Sequence, residues 1–310
     1  MTDAVVEAGE ASIRTGSKSF AVASRLFGRE MREDAWMLYA WCRHCDDVVD
    51  GQVAGFAAPS MAGGETPQQR LDALFMQTRR ALSGTPMPDP VFTGFARVAA
   101  RHRIPQRYPL ELLQGFAMDV EGAPYRTLDD TLRYSYHVAG VVGIMMALVM
   151  GVPPEAKDTL DRACDLGLGF QLTNIARDVL DDAALGRIYL PADWLAQAGI
   201  PPEDIADPRH RAALAGIATR LLDAAEPYYD SAFAGLAALP PRAAWAVATA
   251  RGVYREIGTR LRAQGARGWD RRVVVPKHRK LWHVGAGGVA ALSARRAAPP
   301  PRPGLLWRRP

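Results

Sequence analysis

Two clusters of aspartates, far apart in the chain, have the spacing of a shared chemistry. The first is Asp46, Asp47 and Asp50 in YAWCRHCDDVVD, and the second is Asp178, Asp181 and Asp182 in GFQLTNIARDVLDD. Asp46/Asp50 and Asp178/Asp182 are i,i+4 pairs, so on helices each pair projects from one face. Like charges at that spacing destabilise an isolated helix. A fold that sets two such faces opposite each other must neutralise them. Divalent cations holding a diphosphate would do so, because Mg²⁺ is held by one or two carboxylates together with substrate phosphates.

The neighbours of the acids extend both clusters into stripes. Tyr39, Arg43, Asp46 and Asp50 follow at helical spacing, and so do Gln171, Asn174, Asp178 and Asp182. Arg43 lies in the first stripe and Arg177 beside the second. Asp46, Asp50, Asn174, Asp178 and Asp182 are the candidate metal-holding residues. Arg43 and Arg177 are candidates for gripping phosphate oxygens in a bidentate way. A charge run most often marks a solvated helix face. Here Trp36, Leu38, Phe170, Leu172 and Ile175 make both segments too apolar to lie free on a surface. Cys42 and Cys45 form a C-x-x-C inside a predicted helix with no second pair, which favours packing over zinc or redox chemistry.

The elements that must position these stripes read almost entirely as helices. Strand alternation is scarce, and Ala, Leu and Arg dominate. Helices are expected over Glu30 to Asp50, Gln68 to Leu82, Pro90 to His102, from Pro109 onward, and over Leu128 to Met150. Thr159 to Asp182, Arg209 to Ala238 and Pro241 to Gln264 complete the set as the last long helices. The expected fold class is all-α. One body is expected over residues 1–290, followed by a Pro/Arg-rich tail of disorder type over 291–310. Val138 to Met150 is apolar all round and so belongs to the interior. Gly285 in GAGGVAA follows no strand and is not a dinucleotide loop.

Taken with their order, these motifs resemble the squalene/phytoene synthase family of trans-isoprenyl diphosphate synthases, and within it the bacterial phytoene synthases. The resemblance is carried by GSKSF (Gly16 to Phe20), YAWCRHCDDVVD, GFAMDVEG (Gly115 to Gly122) and YSYHVAGVVG (Tyr134 to Gly143). It continues through FQLTNIARDVLDDAALGRIYLP (Phe170 to Pro191) and VYREIGTRLRAQGARGWDRR (Val253 to Arg272). It implies an isoprenoid synthase bundle around a central apolar tunnel. The implied reaction joins two geranylgeranyl diphosphates head to head, through a cyclopropylcarbinyl diphosphate, to 15-cis-phytoene, the first committed step of carotenoid biosynthesis. Squalene or dehydrosqualene synthesis from farnesyl diphosphate is the alternative enzyme. An inactive assembly factor of the same fold is the alternative outside catalysis, and the completeness of both acidic stripes speaks against it.

The resemblance also assigns residues. Gly16, Ser17, Lys18, Ser19 and Phe20 would meet the diphosphate, although many relatives carry His where Gly16 stands. Read alone, SKS is an ordinary cap and loop. Tyr134 would orient the diphosphate or steer the carbocation. Arg187 and Tyr189 would close the site, and Tyr254 and Arg272 would reach phosphate. Val138, Gly140, Val142 and Gly143 would line the tunnel, and Ser24 would face its floor, leaving room for an additional isoprene unit. The implied cofactor is Mg²⁺, two or three ions, with Mn²⁺ as the substitute. No NADPH is expected. An ATP requirement is seen in some bacterial relatives, and no motif here explains one.

Charge adds a partner. The net charge is +5 over 310 residues, but residues 251–310 carry fifteen Lys/Arg against two acids, +13, leaving −8 for the rest. With no nucleic-acid motif present, that basic segment points to an anionic membrane surface and to diphosphate. Other carotenoid-pathway enzymes are further candidate partners. The N-terminal MTDAVVEAGE is acidic and lacks an apolar core of the kind a signal peptide needs. A cytoplasmic, peripherally membrane-associated enzyme is therefore expected.

Overall fold

The computed structural model describes residues 3–16, 18–53, 56–57, 64–296 and 299–310, with only the backbone described for 18–20, 52–53 and 56–57. Among these residues the chain forms thirteen α-helices. They are α1 Ala4–Gly16, α2 Lys18–Ser24, α3 Arg29–Asp50, α4 Pro67–Leu82, α5 Pro90–Arg101, α6 Arg107–Glu121 and α7 Leu128–Ser135. Then follow α8 Val141–Val149, α9 Lys157–Ala184, α10 Ala192–Gln197, α11 Arg211–Gly235, α12 Pro241–Gln264 and α13 Lys277–Ala294. A two-residue antiparallel ribbon, Gln52–Val53 with Phe56–Ala57, follows α3. The bundle is all-α.

Local chemistry sets the ends. Gly51 adopts φ +62° and returns its N–H to the Asp47 and Val48 carbonyls, which stops α3 just past the first acidic stripe. Thr66 and Gln69 form a reciprocal capping box at the start of α4, with Pro67 in its first turn. Between α7 and α8 the chain takes one wide π turn, Tyr136–Gly140, rather than the unbroken helix expected. The π turn adds a residue to the helix at the point where it meets α9. Leu128–Val149 is long and apolar enough to cross a bilayer, yet 61 % of its most apolar window is buried inside the bundle. It is a core helix.

The π turn and α8 cross α9 at very close range. A Cβ on Gly167 would lie 2.6 Å from the Ala139 carbonyl carbon and 2.8 Å from Gly140 Cα. One on Gly143 would run into the Ala163 carbonyl. Backbone therefore touches backbone, and only glycine fits.

Two expectations fail beyond residue 264. α13 is a full helix where no helix was expected. Its glycines looked like loop residues but serve close packing: a Cβ on Gly287 would meet Thr249 N at 2.9 Å, and one on Gly288 the Trp245 indole at 3.4 Å. A boundary at residue 290 would cut through this helix. The Pro/Arg-rich tail is also not a free segment. Arg302 makes two hydrogen bonds, 2.8 and 2.7 Å, to fully buried Asp165, and Arg309 pairs with Asp161. Leu306 is buried and Trp307 packs against Tyr136. The prolines that suggested disorder also lower the entropy lost on ordering, so a few anchors hold the strap.

Glu256 clamps α13 to α12. Its carboxylate accepts from Arg260 at 2.8 Å, Arg279 at 3.1 Å and His283 at 2.5 Å, and it is 9 % exposed. Burial opposes its ionisation, but hydrogen bonds from Arg279, Arg260 and His283 hold it down to about 2. This depressed acid contributes stability above the carboxylate's ordinary pKa, and the contribution is lost as pH falls through about 2. Glu256→Ala is expected to cost about 2 kcal/mol. It should also open the α12–α13 edge to limited proteolysis at neutral pH, and an unchanged cleavage pattern would refute the clamp.

Candidate active site

α3 and α9 bring the two acidic stripes to one end of a shared cavity. At that end Asp46, Asp47, Asp50 and Asp178 each have an arginine partner. Arg43 pairs with Asp46 at 3.0 Å and with Asp47 at 2.8 Å. Arg187, in the turn after α9, donates two hydrogen bonds to Asp50, one at 3.2 Å. Arg177 reaches Asp178 at 2.8 Å, and Arg272 reaches the same carboxylate at 2.9 Å. Arg272 comes from the segment before α13, so the site joins residues ninety-four positions apart.

The electrostatics of this head are set by burial and by like charge. Asp46 keeps 40 % of its side-chain surface open, yet it sits deep among packed helices. Burial, with help from Asp50 and Asp47, pushes its carboxyl up to about 6 against the pull of Arg43. Asp182 is raised to about 7 by burial and then by the neighbouring Asp178. Asn174 donates to Gln171 at 3.3 Å, while its Oδ1 is buried with no hydrogen-bond partner. Among the described residues no three His, Cys, Asp or Glu converge into a single-ion cage. An orphaned amide oxygen beside carboxylates that resist ionisation fits Mg²⁺, which takes few protein ligands and leaves the rest to phosphate. Asp46, Asp50, Asn174, Asp178 and Asp182 are the residues that would hold it.

Behind this head the cavity is apolar, with a volume of ≈ 330 Å³. That lies within the ~300–1,000 Å³ range of small-molecule pockets. Tyr39, Gln171, Asn174 and Tyr254 line its polar end, and Val138, Val142, Gly143, Met146, Phe170 and Val247 its body. On α9 the lining runs from Thr159 to Asn174. At 1.5 Å per residue that is about 22 Å. Tyr254 also stacks on Phe170, ring centroids 4.0 Å apart, close to Arg177 and Asp178.

Not every expected residue belongs to this cavity. Gly140 does not line it: its face is taken by Cys164 Sγ, which a Cβ would meet at 2.9 Å. Ser24 does not line it either. It is fully buried, donates to the Ala21 carbonyl and accepts from Trp36 Nε1 at 3.0 Å, while Ala23 and Phe27 form the wall. At Gly16 the Tyr39 hydroxyl occupies the space a side chain would need, which suits glycine. Ser17 lies outside the described residues, as do the side chains of Lys18, Ser19 and Phe20. Cys42 lines the cavity and Cys45 is buried, both as free thiols. Sequence showed no histidine with a carboxylate partner. Among the described residues the structure makes two, His102–Asp34 and His283–Glu256, neither lining the cavity.

Tyr134 sits beside the head rather than in the lining. Its hydroxyl donates to Asp119 at 3.0 Å, and the Tyr189 hydroxyl donates to the same carboxylate at 2.9 Å. The two rings stack with centroids 4.5 Å apart. Burial raises the Asp119 carboxyl to about 6, against hydrogen bonds from Tyr189 and Tyr134 and the nearby Arg187. Asp119 is a candidate site residue that the sequence reading missed. It stands in GFAMDVEG without an i+4 carboxylate partner, and only the motif itself could have pointed to it. Asp119→Leu would leave two buried phenols without an acceptor, at about 1–3 kcal/mol. It should also loosen the Arg187–Tyr189 turn and reduce turnover. Asp119→Asn, which keeps one acceptor, should be milder in both, and equal losses from the two variants would show that no hydrogen-bonded geometry is at stake.

Comparison with known proteins accords with this geometry. The squalene/phytoene synthase family model matches residues 13–279. The chain belongs to the squalene/phytoene synthase family. It is 55 % identical over 299 residues to 15-cis-phytoene synthase of Pantoea ananas, covering 96 % of each chain. It is 51 % identical over 311 residues to 15-cis-phytoene synthase of Paracoccus sp., covering 100 % of this chain and 99 % of that one. Among solved structures, a dehydrosqualene synthase superposes with a TM-score of 0.82 at 26 % identity, over 94 % of this chain and 97 % of the other. As a member of the family the chain is an enzyme of prenyl transfer. The match covers both acidic stripes, the Asp119 cluster and Arg272, and ends within the first turn of α13.

Proposed function

We propose that the chain condenses two molecules of geranylgeranyl diphosphate to 15-cis-phytoene. The observation that carries the reading is the site's polarity. An arginine-laced double row of aspartates stands at the head of a long apolar cavity, in a chain about half identical over its full length to proteins named for that reaction. Arg43, Arg177, Arg187 and Arg272 would exchange carboxylate for phosphate oxygens when substrate enters. Bound Mg²⁺, or Mn²⁺ in its place, would offset the charge of the departing diphosphate.

The residues here then act on the organic part. When the C1–O bond of one substrate breaks, its electron pair leaves with diphosphate, which the arginines retain. The allylic cation left behind is flanked by apolar wall and by the Phe170–Tyr254 stack, and water is kept out. The double bond of the second substrate attacks it, and loss of a proton closes a cyclopropane. Release of the second diphosphate, rearrangement and loss of another proton give the central double bond. Neither step consumes a reductant, so no NADPH is needed. No feature of the chain supplies a reason for ATP. The enzyme works at the surface of an anionic membrane on the cytoplasmic side, where substrate and product partition. Handing the product on to other carotenoid-pathway enzymes suits the same location.

The test is an incubation of purified protein and Mg²⁺ with labelled twenty-carbon and fifteen-carbon diphosphates, with and without NADPH. Phytoene from the twenty-carbon substrate, independent of NADPH, supports the reading. Preferential use of the fifteen-carbon substrate would replace it with dehydrosqualene synthesis, or with squalene synthesis if NADPH changes the product.

A further inference from the structure

α13 has one covered face and one bare face. His283, Gly287 and Ala291 are buried against α12. On the other side Leu281, Trp282, Val289 and Leu292 are 70, 55, 69 and 64 % exposed. Among the described residues eight large apolar side chains are exposed, and four of them lie on this helix. Their spacing puts them on one stripe. The stripe is bounded by cations at both ends, Lys277 in the first turn and Arg295 and Arg296 just past the last. No carboxylate follows Asp270, whereas ten lysines and arginines do. Lys277 and His278 are exposed in the first turn, where the helix dipole disfavours positive charge and an anion would be welcome.

We infer that the outer face of α13 is the membrane-docking surface of this enzyme, and that its occupant is an anionic lipid bilayer. An apolar stripe flanked by cations is the pattern of a helix lying in the interface plane, with its stripe among acyl chains and its basic residues at headgroup phosphates. A protein partner would more readily bring carboxylates of both chains into register, and here one sign of charge borders the whole stripe. The fold also places this face usefully. Arg295, past the end of α13, donates to the carbonyl of Leu239, and Leu239 lines the apolar end of the cavity. A docked α13 therefore sets lipid beside the end of the cavity remote from the aspartates. There a hydrocarbon product would leave, which is the one point that rests on the proposed reaction.

The experiment is co-sedimentation of the full chain with vesicles of phosphatidylcholine alone or mixed with phosphatidylglycerol. The parent chain should bind the mixed vesicles and lose part of that binding in about 0.5 M salt. Leu281→Glu/Val289→Glu/Leu292→Glu should weaken binding about tenfold or more. These side chains are exposed, so the variant's circular dichroism and its turnover of detergent-dispersed substrate should match the parent's. Lys277→Glu/Arg296→Glu should weaken binding chiefly at low salt. Parent-like binding of the triple variant would overturn the inference. So would equal affinity of the parent for neutral and anionic vesicles, or no binding to either, which would leave a protein as the occupant. Turnover of dispersed substrate is scored separately, so failure of the proposed reaction would not be mistaken for failure of the docking face.

Discussion

Replacing Asp178 by alanine should lower turnover about a thousandfold, the scale of losing one preorganised electrostatic group at a reacting centre. Asp178 is the carboxylate most engaged at the head of the cavity. It accepts from Arg177 of its own helix and from Arg272, ninety-four residues later. It also raises the Asp182 carboxyl. Removing it has two consequences of opposite sign for the fold. Two arginines lose a partner, and Asp182 loses a repelling neighbour one turn away. Stability should therefore change little while catalysis collapses. Pyrophosphate release, measured beside circular dichroism melting, separates the two. A folded variant turning over at near-parent rate would remove Asp178 from the site, whereas an unfolded one would show its role to be structural.

Gly167→Val should be the most destabilising single change in the wall of the cavity. The added carbons would meet the backbone of Ala139 and Gly140, which cannot rotate aside as a side chain can. The helices must separate instead, and the cost should be about 4–5 kcal/mol, the range reserved for changes with a definite steric cause. In a chain of this size that is a fall of about 6–8 °C in thermal midpoint. Gly216 is the control. It lies in α11 with nothing within 4 Å of a built Cβ, so Gly216→Ala should stabilise by up to about 1 kcal/mol. Equal melting of both variants would disprove the backbone contact where the π turn crosses α9.

Much of this protein is written locally. The i,i+4 aspartates, with arginine and amide at helical spacing, announced both stripes, because helix periodicity converts spacing into a shared face without help from the rest of the chain. α3, α4, α5 and α12 fell within a few residues of expectation for the same reason. Their ends are marked by Gly51, by the Thr66–Gln69 box, and by Pro90 and Pro241 in first turns. Arg187 and Arg272 were legible only through resemblance, and the structure brings both to the aspartates.

Other features depended on which surfaces meet. Ser24 has the size of a residue that makes room for substrate, but Trp36 claims its hydroxyl, and the wall passes to Ala23 and Phe27. Asp119 carries no local signature. Its importance comes from two tyrosines, 15 and 70 residues away, that converge on one carboxylate. Glycine was ambiguous throughout. In α13 it resembled a loop, and at Gly140 it resembled open wall, yet in both places it lets another helix approach. The C-terminal strap has the composition of a disordered tail and is held by arginines reaching Asp165 and Asp161 on α9. Spacing determines which residues of one helix act together. Which helices, loops and termini they act with is decided by packing and by the pairing of buried charge, and those exist only once the chain has folded.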